Sequence, residues 1–190
     1  IMSKKIAEGS DGLVLDVKTG NGAFMSDLAR AEKLARTMVE IGNDAGVRTR
    51  ALITAMDVPL GLAVGNAIEV TESLEVLAGG GPADLIELVI ALANEMLDIA
   101  GINADPREAI TSGRAMDHWR RMVSAQGGDP DAPLPVARHQ HVITAPVAGP
   151  LSTLEAYGVG VPAWRLGAGR AHKEDEIIHG AGVQLHAKPG

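Results

Sequence analysis

Apolar and polar positions along the first half of the chain follow two different periods. The run 12–17 is short, almost wholly apolar and rich in β-branched residues, which predicts a strand buried on both faces. Ser26 and Asp27 then precede apolar residues spaced three and four apart, as on one face of a helix. That helix ends near Gly46, and the run 47–56 predicts a second strand. A strand, a helix and a second strand in this order are typical of a parallel right-handed crossover.

Helical spacing dominates the following stretch, where helices are predicted around residues 69–77, 82–100 and 106–125. Residues 2–8 also have a helical pattern, which Gly9 would stop. Strands that alternate with helices and lead into a helical block indicate an α/β fold.

The pattern changes at a Gly- and Pro-rich linker, residues 127–133. Beyond it, residues 136–188 predict short strands separated by Gly and Pro, with one short helix at 152–157. We therefore divide the chain into three parts: residues 1–9, the end of a helical lobe; residues 10–128, an α/β domain; and residues 136–190, a small β-rich module.

Composition supports a folded core and excludes several classes of function. The 190 residues are 46% hydrophobic with four aromatic side chains, so the core is expected to consist of Ala, Val, Leu and Ile. A net charge of -7 disfavours nucleic-acid binding. The absence of Cys excludes disulfides and thiolate sites and favours a cytoplasmic protein. The longest apolar stretch, residues 85–99, contains four polar residues and is not expected to span a membrane.

Several polar residues are candidates for chemistry, and each has an ordinary structural interpretation. The loop Gly20-Asn21-Gly22 follows a strand, where α/β folds bind ligands, but its spacing matches no dinucleotide or P-loop motif and favours a turn. Asp16 and Lys18 favour a local ion pair. Lys4 and Lys5 are adjacent on a helix and point in different directions, so one side chain can face a pocket.

Two further sets of side chains contain possible metal ligands. Glu69 and Glu72 share a helical face near the loop 59–63, and a carboxylate with loop carbonyls suits a hard cation; solvated helix carboxylates are the alternative. None of the six histidines has metal-ligand spacing along a helix. His139 and His141 lie on one face of a predicted strand, which permits a site, although surface histidines are the simpler interpretation.

Four separated motifs together resemble one enzyme family. They are SKKIAEG at 3–9, LDVKTGNGAFM at 15–25, PLGLAVGNAIEV at 59–70, and LGAGR at 166–170 followed by KEDEI at 173–177. In order and register, they resemble the thymidine phosphorylase and pyrimidine-nucleoside phosphorylase family. The resemblance implies an enzyme with a helical lobe facing a large α/β lobe across a cleft, usually a homodimer, which cleaves a pyrimidine nucleoside with phosphate as co-substrate.

The resemblance also implies roles for individual residues. Lys4 matches the lysine that binds the pyrimidine's exocyclic oxygen and stabilises the departing base, and Phe24 matches a position that lines the base pocket. Leu60 and Ala63, through backbone carbonyls, and Glu72, through its carboxylate, match the ligands of a monovalent cation, expected to be potassium. The resemblance leaves Lys5 and Glu69 with structural roles.

The family's other base-binding residues and its phosphate loop precede the position of Ile1. We therefore expect these 190 residues to be the latter part of a longer chain, without most of the helical lobe and without the phosphate loop, and to be inactive alone. A related phosphoribosyltransferase of the anthranilate type is an alternative, against which the predicted β-rich module argues. A binding module that keeps the fold without catalysis is the other alternative.

Overall fold

The computed structural model of the protein describes residues 1–189; Gly190, the last residue of the predicted module 136–190, lies outside them. In this range, helices and strands follow one another along residues 2–125, and elements are sparser beyond residue 128. The elements are α1 Met2–Ala7, β1 Gly12–Thr19, α2 Leu28–Asp44, β2 Arg48–Ala55, β3 Ala63–Gly65, α3 Ala67–Leu77, α4 Ala83–Ala100, α5 Pro106–Thr111, α6 Arg114–Ala125, α7 Ala156–Ala163 and β4 Gly182–Gln184.

The predicted strand–helix–strand unit is confirmed as β1, α2 and β2. The two strands pair in parallel, with Gly12 opposite Arg48 and Thr19 opposite Ala55. Asp27 caps α2, because its side chain accepts a hydrogen bond from the backbone N–H of Arg30 at 3.0 Å. Parallel pairing through a helical connection is the arrangement expected of an α/β fold.

One face of this sheet carries the main core. Val17 of β1 packs with Ala31, Ala35 and Met38 of α2 and with Met2 of α1. Half of the buried apolar residues in the described range are alanines, and none is aromatic. The core therefore consists mainly of Ala, Val and Ile, as the composition predicted, but it also contains Met2 and Met38, and the predicted leucines are only partly buried around it.

The other face of the sheet is covered by α4 through polar as well as apolar contacts. Arg48 donates to the backbone carbonyl of Ile99. Arg50 forms ion pairs with Glu95 at 2.9 Å and Asp98 at 3.0 Å. None of the described helices is long and apolar enough to cross a lipid bilayer.

The helical block differs from its prediction at one point and is followed by an unexpected pairing. The third predicted helix is divided into α5 and α6, because Gly113 between them has a left-handed backbone conformation. The short strand β3, where the sequence indicated only a loop, pairs antiparallel with β4, so Ala63 lies opposite Gln184 and Gly65 opposite Gly182.

Residues 136–189 contain less strand than predicted. Where several strands were expected, β4 is the strand present in this range, and the short helix is α7, displaced toward the C-terminus from 152–157. A wide turn, Trp164–Ala168, follows α7 and turns at Gly167. Prolines throughout this segment cannot donate to a β-ladder, and pairing occurs where β3 offers a partner. The division into domains at residues 128 and 136 remains a prediction.

Candidate functional site

Residues 59–63 form a loop, the last residue of which begins β3, and three separate parts of the chain hold this loop by hydrogen bonds. From α3, Glu72 accepts a hydrogen bond from the N–H of Leu62 at 2.7 Å. From α4, Asp84 accepts one from the N–H of Gly61 at 3.2 Å. From the C-terminal end, Lys188 donates to the carbonyl of Pro59 at 2.8 Å. The path of this loop is therefore set by side chains distant from it in sequence.

Glu72 is buried without a countercharge. It is 8% exposed, and no ion pair reaches it within residues 1–189. Its Oε1 accepts the Leu62 bond, whereas Oε2 accepts no hydrogen bond from the described residues and lies against Gly61. Gly61 has φ +66, a conformation that favours glycine, and a Cβ there would stand 2.1 Å from Oε2, so a larger residue would also displace the carboxylate. Glu72 is thus largely buried, but its free oxygen is accessible to solvent, because no fully buried side-chain oxygen among the described residues lacks a partner. A carboxylate oxygen of this kind beside loop carbonyls fits a bound cation.

Asp84, the second carboxylate of the loop, is neutralised by the chain itself. It forms an ion pair with Lys188. Burial would raise the pKa of Asp84, but the hydrogen bond and charge of Lys188, together with the N–H groups of Gly61 and Leu85, outweigh burial and lower the pKa below its usual value. Asp84 is therefore ionised and compensated at neutral pH.

The C-terminal segment also determines which loop carbonyls remain free. The carbonyl of Leu62 accepts from the N–H of Leu185 at 2.7 Å and from the side chain of Gln184 at 3.1 Å. Because bonding alternates along an antiparallel pair, the backbone polar groups of Ala63, the next residue, point away from β4. The carbonyls of Leu60 and Ala63 are thus outside the contacts that engage Pro59 and Leu62.

The glycine loop 20–22 is a structural connection to the C-terminal region. The side chain of Asn21 donates to the carbonyl of Asp57 at 3.0 Å and accepts from the N–H of Tyr157 at 3.2 Å. The N–H of Ala156 donates to the same Asp57 carbonyl at 2.8 Å. These bonds join the ends of β1 and β2 to the start of α7, which agrees with the turn favoured for this loop.

Lys4 and Lys5 differ in their surroundings, as their adjacent positions on α1 predicted. Lys5 forms an ion pair with Glu8 at 3.0 Å. Lys4 is exposed, and its ammonium has no hydrogen-bond or ion-pair partner among residues 1–189. The α1 helix thus leaves the charge of Lys4 available.

Phe24 is 96% exposed just beyond the glycine loop, an unusual position for an aromatic ring. Nearby in sequence, Lys18 pairs with Asp16 at 2.7 Å and donates to Thr54 at 2.8 Å, which confirms the predicted local ion pair. The Phe24 ring and the Lys4 side chain are both exposed.

The structure thus brings Leu60, Ala63 and Glu72 together around one loop and leaves the other candidate metal ligands apart. Glu69 accepts from the N–H of Gly65 at 2.7 Å, a structural role. No cluster of three or more His, Asp or Glu side chains suited to a metal occurs within residues 1–189. Sequence reasoning missed Asp84 and Lys188, because no local pattern marks a contact between residues so far apart.

Two family models match the chain. Residues 1–118 match the glycosyl transferase family, a/b domain, and residues 151–190 match the pyrimidine nucleoside phosphorylase C-terminal domain. The whole chain aligns at 55% identity with 45% of the thymidine phosphorylase of Mycobacterium tuberculosis. It aligns at 47% and 46% identity with 47% of the pyrimidine-nucleoside phosphorylases of Staphylococcus haemolyticus and Bacillus subtilis. The chain spans about half the length of these curated relatives.

Proposed function

Since the chain belongs to the glycosyl transferase family of the thymidine and pyrimidine-nucleoside phosphorylases, we propose that it is part of a pyrimidine-nucleoside phosphorylase. The reaction is phosphorolysis of thymidine, in which phosphate takes the pentose and thymine is released. The observation that best supports this proposal is that one chain matches both the a/b domain and the phosphorylase C-terminal domain. The second match favours this activity over a phosphoribosyltransferase.

Lys4 is the residue we propose to act on the departing base. As the bond between C1′ and the base nitrogen breaks, its electron pair moves to the base, and negative charge collects on the exocyclic oxygens. A cation at those oxygens stabilises this charge more in the transition state than in the substrate, which accelerates the reaction. The unpaired, exposed ammonium of Lys4 supports this role, whereas Lys5 is occupied by Glu8.

Phe24 is proposed to contact the face of the pyrimidine. Its ring is 96% exposed, so a bound base would cover apolar area that water now contacts. We further propose that the full-length protein is a cytoplasmic homodimer in which a helical lobe faces the α/β lobe. Closure of such lobes orients the reactants and excludes water.

Potassium is the proposed cation of the 59–63 loop, held by the carbonyls of Leu60 and Ala63 and the carboxylate of Glu72. The buried, uncompensated charge of Glu72 and its free Oε2 support a cation there. Oxygen donors are also the ligands that hard cations take in proteins. A bound ion would link α3 to the loop electrostatically.

The test is thymine release from thymidine by the full-length protein that carries these residues, measured by absorbance with and without phosphate. Release that requires phosphate is expected. Lys4→Ala should reduce kcat/KM by about 100-fold or more, because it removes stabilisation of the leaving base. Lys33→Ala, on the exposed side of α2, is the control and should keep wild-type rates.

Two results would contradict the proposal. Unchanged kinetics in Lys4→Ala would remove Lys4 from the site. A full-length protein that releases no thymine with phosphate, but binds phosphoribosyl diphosphate with magnesium, would assign the chain to the phosphoribosyltransferases instead.

A further inference from the structure

Two carboxylates accept hydrogen bonds from the 59–63 loop, and among the described residues only one of them has a cationic partner. Asp84 and Glu72 accept from the neighbouring N–H groups of Gly61 and Leu62. Lys188 compensates Asp84, whereas no cationic side chain within residues 1–189 pairs with Glu72. Since buried charges in proteins are paired or bind metal ions, this asymmetry leaves Glu72 for a cation from solution.

The same C-terminal segment selects among the loop's carbonyls. Lys188 occupies the carbonyl of Pro59, and Leu185 and Gln184 occupy that of Leu62. The carbonyls proposed as ligands, those of Leu60 and Ala63, each directly follow an occupied one. The loop is thus held at two of its five carbonyls, which restricts the directions of the carbonyls that follow them.

We propose that residues 184–188 are a structural part of the cation site, with Lys188 and Asp84 as positioning residues that set the cation affinity of the loop. This inference rests on the proposed cation role of Leu60, Ala63 and Glu72. Lys188 acts in two ways: its ammonium neutralises Asp84, and its hydrogen bond holds the loop at Pro59. Neither residue is a ligand; both act through the loop's backbone.

The charges also explain why both members of the pair are needed. Without Lys188, the Pro59 carbonyl is released, so the loop has more conformations to lose when a cation binds. We expect this cost to exceed the attraction that the unpaired Asp84 carboxylate exerts on the cation. Without Asp84, the ammonium of Lys188 is uncompensated beside the loop and competes with the cation for Glu72. Either single change is expected to weaken cation binding.

The experiment measures thermal unfolding of the full-length protein as KCl replaces choline chloride at constant ionic strength. A ligand that binds the native state raises the melting temperature according to its concentration relative to its Kd, so the titration reports potassium affinity without any measure of activity. Constant ionic strength keeps screening of surface charges the same throughout. The wild type should show a potassium-specific rise that continues logarithmically once potassium exceeds its Kd, and a fit to this relation gives the Kd.

Lys188→Met should raise the fitted Kd for potassium about tenfold, the size typical of residues that orient metal ligands. Lys188→Arg retains the charge and donors and should recover most of the affinity. Lys173→Met, at an exposed lysine of the same region with no side-chain bond in the described range, is the matched control and should behave as wild type. A variant that merely loosens the fold would melt earlier by the same amount in both salts.

Asp84→Asn should also weaken potassium binding, and the double variant Asp84→Asn/Lys188→Met should bind more tightly than Asp84→Asn alone, because it removes the uncompensated ammonium. Fitted Kd values within twofold of wild type in the single variants would overturn the inference, as would a wild type without a potassium-specific shift. Thymine release, assayed separately, tests the proposed function: loss of that activity with an intact potassium response would leave the inference standing.

Discussion

The α/β region, residues 2–125, and the C-terminal region, residues 156–189, are held in place by different forces. In the first region, regular elements cover an apolar core, as where Met38 and Ala31 of α2 pack on β1. In the second region, α7 and β4 are short and attach to loops of the first by hydrogen bonds and one ion pair.

The difference indicates that the C-terminal region depends on the α/β region for its stability, and that the reverse does not hold. Apolar burial can stabilise the α/β region without the C-terminal region, because its core residues come from α1, β1 and α2. The C-terminal region has few buried residues of its own and requires loops 20–22 and 59–63 to be in place first. The conformations of those two loops therefore depend on contacts from both regions.

The largest expected effect comes from a cavity in the α/β core. Met38→Ala removes a nearly buried side chain and should lower the free energy of unfolding by about 2–5 kcal/mol, because transfer and cavity costs add. Urea unfolding followed in Trp119→Phe and Trp164→Phe backgrounds leaves one tryptophan to report on each region. Both signals should move together to lower urea.

Met122→Ala is the control for that experiment, because Met122 lies half-exposed on α6, and should change stability by about 0.5 kcal/mol or less. If Trp164 kept its native signal at urea concentrations where the Trp119 signal is lost, the proposed dependence of the C-terminal region would be wrong.

A smaller, local effect is expected from the Asn21 contacts. Asn21→Ala removes the bonds to Asp57 and Tyr157, which should weaken attachment of α7 by about 1–2 kcal/mol. Amide hydrogen exchange should accelerate in residues 156–163 and stay unchanged in α2. Asn103→Ala, at an exposed turn, should alter neither segment, and equal acceleration in α2 would show that the two regions are not separable.

The smallest effect is a pH dependence of the Lys188–Asp84 attachment. The pKa of Asp84 is lowered in the folded protein, so its stabilisation is complete above the ordinary value of 3.8 and is lost as pH falls through the lowered value. The difference in melting temperature between wild type and Asp84→Asn should therefore be constant at neutral pH and shrink below that value. Glu87→Gln, on the exposed side of α4, should show no such trend; a constant difference down to low pH in Asp84→Asn would contradict the assignment.

Sequence alone predicted the elements whose signals are local. The apolar run of β1 and the Asp27 cap of α2 need no distant partner to be recognised, and both lie where expected. The strand β3 has only three residues and exists because Gly182–Gln184 pairs with it. The helix α7 contains two glycines and Pro162, which have low helix propensity. The sequence therefore predicted the helix at 152–157, a few residues before its actual position.

The residues of the candidate site also divide into those that sequence motifs identify and those that only the fold brings together. Family motifs pointed to Glu72 and to the 59–63 loop, and burial of Glu72 beside Gly61 agrees with a special role for that carboxylate. No motif pointed to Asp84 or Lys188, because their role depends on the ion pair that they form between α4 and the C-terminal segment. Contacts of this kind follow from the fold and are not encoded in any short window.

The Asn21 contacts also bear on how the protein ages chemically. Asn21 precedes Gly22, and an asparagine before glycine is prone to deamidation, because the unhindered backbone nitrogen can attack the side-chain amide and expel ammonia. Here both ends of that amide are hydrogen-bonded, and the N–H of Gly22 donates to the carbonyl of Met56 at 2.9 Å. The attack requires these bonds to break, and one of them comes from Tyr157, so attachment of the C-terminal region contributes to the protection of a covalent weak point in the α/β region.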